Sequence, residues 1–319
     1  MSARRAAGVA LGAAGLLAAA APIYASYRAA MRRARARIAA GRLAQTPRGP
    51  IEYAVAGNGP PVLFIHGAGG GFDQGLAFGA DLAAAGFRVI AMSRFGYLRT
   101  PLPADASPAA QADAHACLLD ALDVPRAAIL GGSAGAPSAM QFALRHPQRT
   151  TALVLAVPAA YAPREGGHSA LVVPAGTEAL FDTALRSDFL FWAASRLART
   201  SVVRAILGTP PQAVERATAE ERQRVARVIE EILPVSARRL GLLNDAAVTS
   251  RLERYELEKI AAPTLVFSVA DDLYGTYDCA RYSAAHIPNA RFVGYSNGGH
   301  LWVGHQREVF EEIARFLKG

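Results

Sequence analysis

With 319 residues, 52% of them hydrophobic and 19% charged, the chain can bury a sizeable core and hold one large domain with an inserted segment. Its +8 net charge would suggest a nucleic-acid partner, but residues 1–50 carry nine arginines and no Asp or Glu, leaving 25 Lys and Arg against 26 Asp and Glu in the rest. The remainder is therefore close to neutral, which excludes a basic nucleic-acid binder. Two cysteines, Cys117 and Cys279, make neither a disulfide framework nor a metal-ligand cluster; Cys117, among Ala and Leu, reads as a small buried hydrophobe.

The chain opens with Arg4 and Arg5, then an uncharged, Ala-rich run of 22 residues, Ala6 to Tyr27. That length crosses a bilayer as a helix. A membrane anchor, a cleaved signal peptide with small-residue cleavage sites, and a surface helix are the three readings. Arg28, Arg32, Arg33, Arg35, Arg37 and Arg42 follow closely, and dense arginine resists translocation. The expectation is a membrane partner reached through this N-terminal helix, with the globular domain on the cytoplasmic face. The alternative is a secreted or periplasmic protein after cleavage. The arginines could also lie along anionic headgroups. Residues 1–49 are accordingly set apart from a domain over 50–319.

Ile51 to Ala56 reads as a strand and Gly57-Asn58-Gly59-Pro60 as a turn. Val62 to Ile65 is a continuous apolar strand that ends in His66-Gly67-Ala68-Gly69-Gly70-Gly71. This glycine loop is neither G-x-G-x-x-G nor a P-loop with its lysine. Lacking side chains, it lets a backbone N–H approach a developing oxyanion. Phe87 to Met92 is the next strand and Pro108 to Leu122 a helix. Ala127 to Leu130 is a strand running into Gly131-Gly132-Ser133-Ala134-Gly135, and a helix follows from Pro137 to His146. A G-x-S-x-G turn between strand and helix is so sharp that small residues must stand two before and two after the serine, whose hydroxyl is left exposed above the strand end. Thr151 to Val157 is another strand. Alternating apolar strands and helices imply a doubly wound, mostly parallel sheet, with ligands bound beyond the strand carboxyl ends.

From Pro158 to about Ile260 the strand rhythm stops, and helical patterns over Glu178–Leu207, Gln212–Leu233 and Ser236–Val248 suggest an inserted helical lid. The arginines and glutamates of residues 215–231 read as a solvated helix face. Phe181, Phe189, Phe191 and Trp192 either line an apolar acyl pocket or pack the lid onto the core. Strands resume at Pro263 to Val269, followed by Ala270-Asp271-Asp272, and at Arg291 to Tyr295, followed by Ser296-Asn297-Gly298-Gly299-His300. Glu308 to Leu317 is an amphipathic closing helix.

Four features in this order, HGAGG, GGSAG, VADD and GGH, resemble the α/β-hydrolase fold superfamily over nearly everything from residue 50 to 319. The resemblance implies Ser133 as nucleophile, Asp272 as acid and His300 as base, the chain order of that fold. It implies backbone N–H groups of Ala68 and Ala134 as the oxyanion site. Paired aspartates leave Asp271 as a rival to Asp272, and Val269 stands where the family often has glycine. His305, at the start of the last helix, and His66, in the glycine loop, are the rivals to His300; His115, His146, His168 and His286 read as surface or structural. A serine at the elbow, where dehalogenases and epoxide hydrolases of this fold carry aspartate, points to ester, thioester, amide or C–C hydrolysis, or to acyl transfer. The expected activity is that of a serine hydrolase, an esterase or related acyl hydrolase, on a small-molecule, apolar acyl substrate, with neither metal nor organic cofactor called for. An acyltransferase or perhydrolase on the same triad, and a ligand-binding protein without turnover, are the alternatives. Oligomeric state has no signature here.

Overall fold

The computed structural model describes residues 3–163 and 187–319, with the side chains of residues 3–19 outside the description. Among the described residues eight strands form one sheet: β1 (Arg42–Thr46), β2 (Gly49–Ala56), β3 (Pro61–Ile65), β4 (Arg88–Met92), β5 (Ala127–Gly132), β6 (Thr150–Ala156), β7 (Thr264–Val269) and β8 (Ala290–Tyr295). Their order is β1-β2-β4-β3-β5-β6-β7-β8. The β1–β2 and β2–β4 pairs are antiparallel and every later pair is parallel. The predicted strands are all present, shifted by a residue or two at their ends. β1 has no counterpart in the sequence reading, so the sheet begins before residue 50.

The apolar runs of β3 to β7 are continuous because these strands are covered on both faces. Along β3, Leu63 and Ile65 enter one core while Val62 and Phe64 enter the other. Beneath the first face lie α4 (Pro108–Ala121), α5 (Ala136–Arg145) and α11 (Thr276–His286), through Ala112, Met140 and Ala280 among others. The second face takes α2 (Phe72–Phe78), α3 (Ala80–Ala84) and α12 (Gln306–Lys318), through Phe72, Leu82 and Phe310. Helix α4 starts where its sequence says it should: Ser107 accepts a hydrogen bond from Ala110 N–H at 3.2 Å, and Pro108 takes the first turn. Cys279 is buried, whereas Cys117 is only half-buried and not the core residue expected.

Between β6 and β7 the described chain runs through α6 (Asp188–Leu197), α7 (Arg199–Ile206), α8 (Pro211–Arg216), α9 (Ala219–Glu231) and α10 (Arg239–Thr249). The long periodic stretches are thus broken, one at Ala198 and one at Thr218. Thr218 caps α9 by accepting from Glu221 N–H at 3.3 Å. The charged face of α9 is not wholly solvated. Arg224 is buried, pairs with Glu221 at 2.8 Å and donates to the Leu301 carbonyl at 2.8 Å.

Helix α1 spans Ala3–Ile38 without a break at Pro22. Its C-terminal half packs Ala30, Met31 and Ala34 into an apolar cluster with Trp192, Val202 and Val225 of the β6–β7 helices. The membrane-spanning reading of Ala6–Tyr27 gains no support. Among the described residues no helix is long and apolar enough to cross a membrane, and residues 6–19 of that run lie outside the described side chains.

Candidate active site

Ser133 stands where β5 ends and α5 begins, with a positive φ of 49°. That left-handed backbone is uncommon for a residue with a side chain and stores strain at the turn. The flanking glycines are there for space. A methyl group at Gly135 would lie 2.5 Å from the Ile65 carbonyl oxygen, and one at Gly131 would lie 2.5 Å from Ala139 Cβ. Gly132 has nothing within 4 Å of the same position, so the small-residue requirement falls two places either side of the serine and not beside it.

His300 Nε2 is 2.8 Å from Ser133 Oγ, and His300 Nδ1 is 2.7 Å from Asp272 Oδ2. A carboxylate can only accept, so the proton between the last two sits on Nδ1, leaving Nε2 as the acceptor facing the serine hydroxyl. Asp272 is fixed by further donors: Tyr274 N–H reaches Oδ1 at 2.9 Å, and the Thr276 hydroxyl donates to Oδ2. The Tyr274 ring meets the His300 ring edge-on, centroids 4.9 Å apart. Asp271 accepts from Gly299 N–H at 2.7 Å and so ties the end of β7 to the histidine loop. Asp272 and His300 are both buried at 7% exposure, which dries the hydrogen-bond chain.

The glycine loop lies against the serine. A methyl at Gly67 would sit 3.1 Å from Ser133 Cβ. Ala68 and Ala134 line the same cavity as Ser133 and His300. Within the described residues the Ala68 N–H meets no acceptor. Ala134 lies in the first turn of a helix, where backbone N–H groups are left free for an anion.

His66 shapes this loop. Its Nδ1–H donates to the Gly67 carbonyl at 2.7 Å, and its Nε2 accepts from Arg94 N–H at 3.0 Å. Burial, with the Arg94 guanidinium nearby, holds its pKa well below the ordinary histidine value, so it stays neutral. His305 stands just before α12 without capping it, its Nδ1 3.2 Å from Glu308 Oε2. His115 is fully buried beside Ser138, while His146 and His286 are half-buried; His168 lies outside the described residues.

Two buried ionic clasps, invisible in the sequence reading, join the loop to the helices over it. In the first, Arg94 grips Asp245 of α10 through two hydrogen bonds of 2.7 and 2.5 Å. Asp245 also accepts from the Tyr97 hydroxyl at 2.5 Å, and that hydroxyl accepts from Gly69 N–H at 3.2 Å. Burial and the Asp245 charge push the Tyr97 pKa well above its ordinary value, which keeps the hydroxyl a donor. In the second, Arg238, fully buried, reaches Asp73 Oδ2 at 2.8 Å and also donates to the Gly70 carbonyl. Burial opposes charge on Asp73, but the Arg238 and Arg37 guanidiniums outweigh it and hold its carboxyl below the usual range.

Over the serine lies a cavity of about 490 Å³, with Phe191, Leu207, Val228, Ile232 and Leu242 among its apolar walls. Of the four aromatics considered, Phe191 lines this cavity. Trp192 packs against Tyr27 of α1, Phe189 is 40% exposed, and Phe181 lies outside the described residues. Among the described residues no group of three His, Cys, Asp or Glu side chains is placed to hold a metal ion.

A family model described as alpha/beta hydrolase fold matches residues 60–303. A Bacillus subtilis protein named Uncharacterized hydrolase YcgS is 25% identical over 273 residues, 81% of this chain and 91% of that protein. The 2-hydroxy-6-oxononadienedioate/2-hydroxy-6-oxononatrienedioate hydrolase of Paraburkholderia xenovorans is 39% identical over 112 residues, 33% of this chain and 38% of that one. Among solved structures, an alpha/beta hydrolase fold protein from Nakamurella multipartita superposes with a TM-score of 0.69 at 30% identity, covering 88% of this chain and 99% of that chain.

Proposed function

The chain belongs to the α/β-hydrolase fold family, and from that premise we propose that it is a serine hydrolase cleaving an ester or related acyl bond through Ser133, His300 and Asp272. The observation that carries this reading is the continuous hydrogen-bond chain from Ser133 Oγ to His300 to Asp272, at 2.8 and 2.7 Å. Ser133 Oγ attacks the acyl carbonyl while His300 Nε2 takes its proton. Asp272 stabilises the imidazolium that forms and keeps the ring in the productive tautomer. The carbonyl oxygen, now negative, is held by the N–H groups of Ala68 and Ala134. Removing one such donor typically costs about 2.7–4 kcal/mol of transition-state stabilisation. His300 then passes the proton to the leaving group, and water repeats the sequence to release the acid.

The walls of the cavity favour an apolar acyl group. Its volume of about 490 Å³ is in the range of small-molecule sites. A fluorophosphonate probe tests the reading: it should attach covalently to Ser133 and leave Ser133→Ala unlabelled. Folded protein that resists the probe, or labelling undiminished in the variant, would count against it.

A further inference from the structure

Helix α1 lies outside residues 60–303, yet its last turn is wired to the catalytic loop. Arg37 donates Nε–H to Asp73 Oδ2 at 2.9 Å. Its Nη2 donates to the carbonyl of Glu231, the last residue of α9, at 3.2 Å and to that of Leu233, two residues beyond the helix, at 2.7 Å. Asp73 sits two residues beyond the glycine loop, in the first turn of α2, with its side chain 1% exposed. The same Oδ2 accepts from Arg238 Nη2 at 2.8 Å, while Arg238 Nη1 reaches Asp73 Oδ1 at 3.2 Å and the Gly70 carbonyl. Gly70 N–H closes the turn onto the Gly67 carbonyl at 3.3 Å, and that turn carries Ala68.

One carboxylate thus holds two guanidiniums, one from each side. Arg238 grips the loop, and Arg37 fixes the carboxylate that orients Arg238. We propose that Arg37 is a positioning residue for the Ala68 oxyanion donor, acting through Asp73 and Arg238, so that the N-terminal helix is part of the catalytic apparatus. The proposal rests on the serine-hydrolase reading above. Losing Arg37 leaves Asp73 with one cation and takes a donor from the carbonyls of Glu231 and Leu233. Lysine keeps the charge but lacks the planar fork that spans carboxylate and carbonyls together, so it should restore only part of the effect.

The test uses the full chain and a fluorophosphonate, whose phosphonyl oxygen enters the same oxyanion site. The amplitude of labelling counts folded, competent sites, and the second-order rate constant reports their alignment. Arg37→Gln should label to full amplitude at a rate lower by roughly tenfold, short of the 10²–10³ that follows complete removal of an oxyanion donor. Arg37→Lys should fall between that variant and the parent. Arg37→Gln reacting at the parent rate, at full or reduced amplitude, overturns the proposal. If Arg37→Gln does not fold, Arg37→Lys at the parent rate overturns it equally. A parent protein that does not label at Ser133 overturns the hydrolase reading, and this proposal with it; a labelled parent and an unslowed variant overturn only the proposal.

Discussion

Asp271 and Asp272 are neighbours in the chain but hold different parts of the histidine loop. Asp272 receives the His300 ring at 2.7 Å, whereas Asp271 receives the backbone N–H of Gly299 at 2.7 Å. The two should therefore separate cleanly by mutation. Asp272→Asn offers His300 an amide in place of a carboxylate, which disturbs the tautomer and removes the charge facing the imidazolium. Its kcat should fall by about 10³–10⁴. Asp271→Asn retains an acceptor for Gly299 N–H and should stay within about tenfold of the parent. Steady-state kinetics on a chromogenic ester decide the matter, and a collapse confined to Asp271→Asn would reverse the assignment.

The elbow glycines make a prediction about stability. At Gly135 an added methyl meets the carbonyl oxygens of Ile65 and His66 at 2.5 and 2.6 Å, both backbone atoms with no freedom to retreat. Gly135→Ala should destabilise the fold by on the order of 3 kcal/mol. Gly132→Ala, with open space and an ordinary extended backbone, should cost less than about 1 kcal/mol. Urea midpoints of the two variants provide the comparison.

Ala205 is 7% exposed and lines the cavity above Ser133. A phenylalanine there would occupy the space that the proposed acyl group would fill. Ala205→Phe should lower kcat/KM for an octanoyl ester by about tenfold or more while leaving the acetyl ester within a few-fold. A uniform loss across the chain-length series would show that the cavity does not bind the acyl group.

Glu231 ends α9 close to Arg37 and Asp73. Burial raises its pKa to about 7, with the Arg37 charge acting against that rise. The unfolded chain holds such a group near 4.5. A raised carboxyl pKa means the folded state binds the proton more tightly. The associated stability is complete below pH 4.5 and is lost as pH rises through about 7. Glu231→Gln should remove that slope. Relative to the parent it should gain on the order of 2–3 kcal/mol between pH 4.5 and pH 8, read by urea unfolding at several pH values. Parallel curves for the two proteins would refute the assignment.

Strands β3 to β7 can be read from the sequence because each is an apolar run buried on both faces, and β3, β5, β7 and β8 carry a glycine or aspartate signal just past the carboxyl end. That Ser133, Asp272 and His300 come together is legible for the same reason: a parallel sheet delivers all of its strand ends to one edge. β1 was not, because Arg42–Thr46 is a polar edge strand with one buried residue among five and no alternation to detect. Helices α2 and α3 were hidden by their shortness and by Gly75 and Gly79. The clasps left no local trace at all. Tyr97 and Asp245 are 148 residues apart, and Arg238 and Asp73 are 165 apart. Nothing in the spacing of charged residues marks a pair joined only by the return of the chain. In the sequence, Arg37 is one more arginine in a basic run, and only packing distinguishes it from its exposed neighbours.

The clasps also bear on motion. The Arg238–Asp73 side chains are 0% and 1% exposed, and those of Arg94–Asp245 are 5% and 6% exposed. Swinging α10 away from the glycine loop would strand these charges in a dry interior, at about 3–5 kcal/mol for each broken pair. Helix α10 is therefore bolted rather than hinged, and any movement there is confined to side chains away from the two bolts. Amide hydrogens of α10 should then exchange only when the whole domain unfolds, as slowly as those of β5. Faster exchange confined to α10 would reveal a hinge after all.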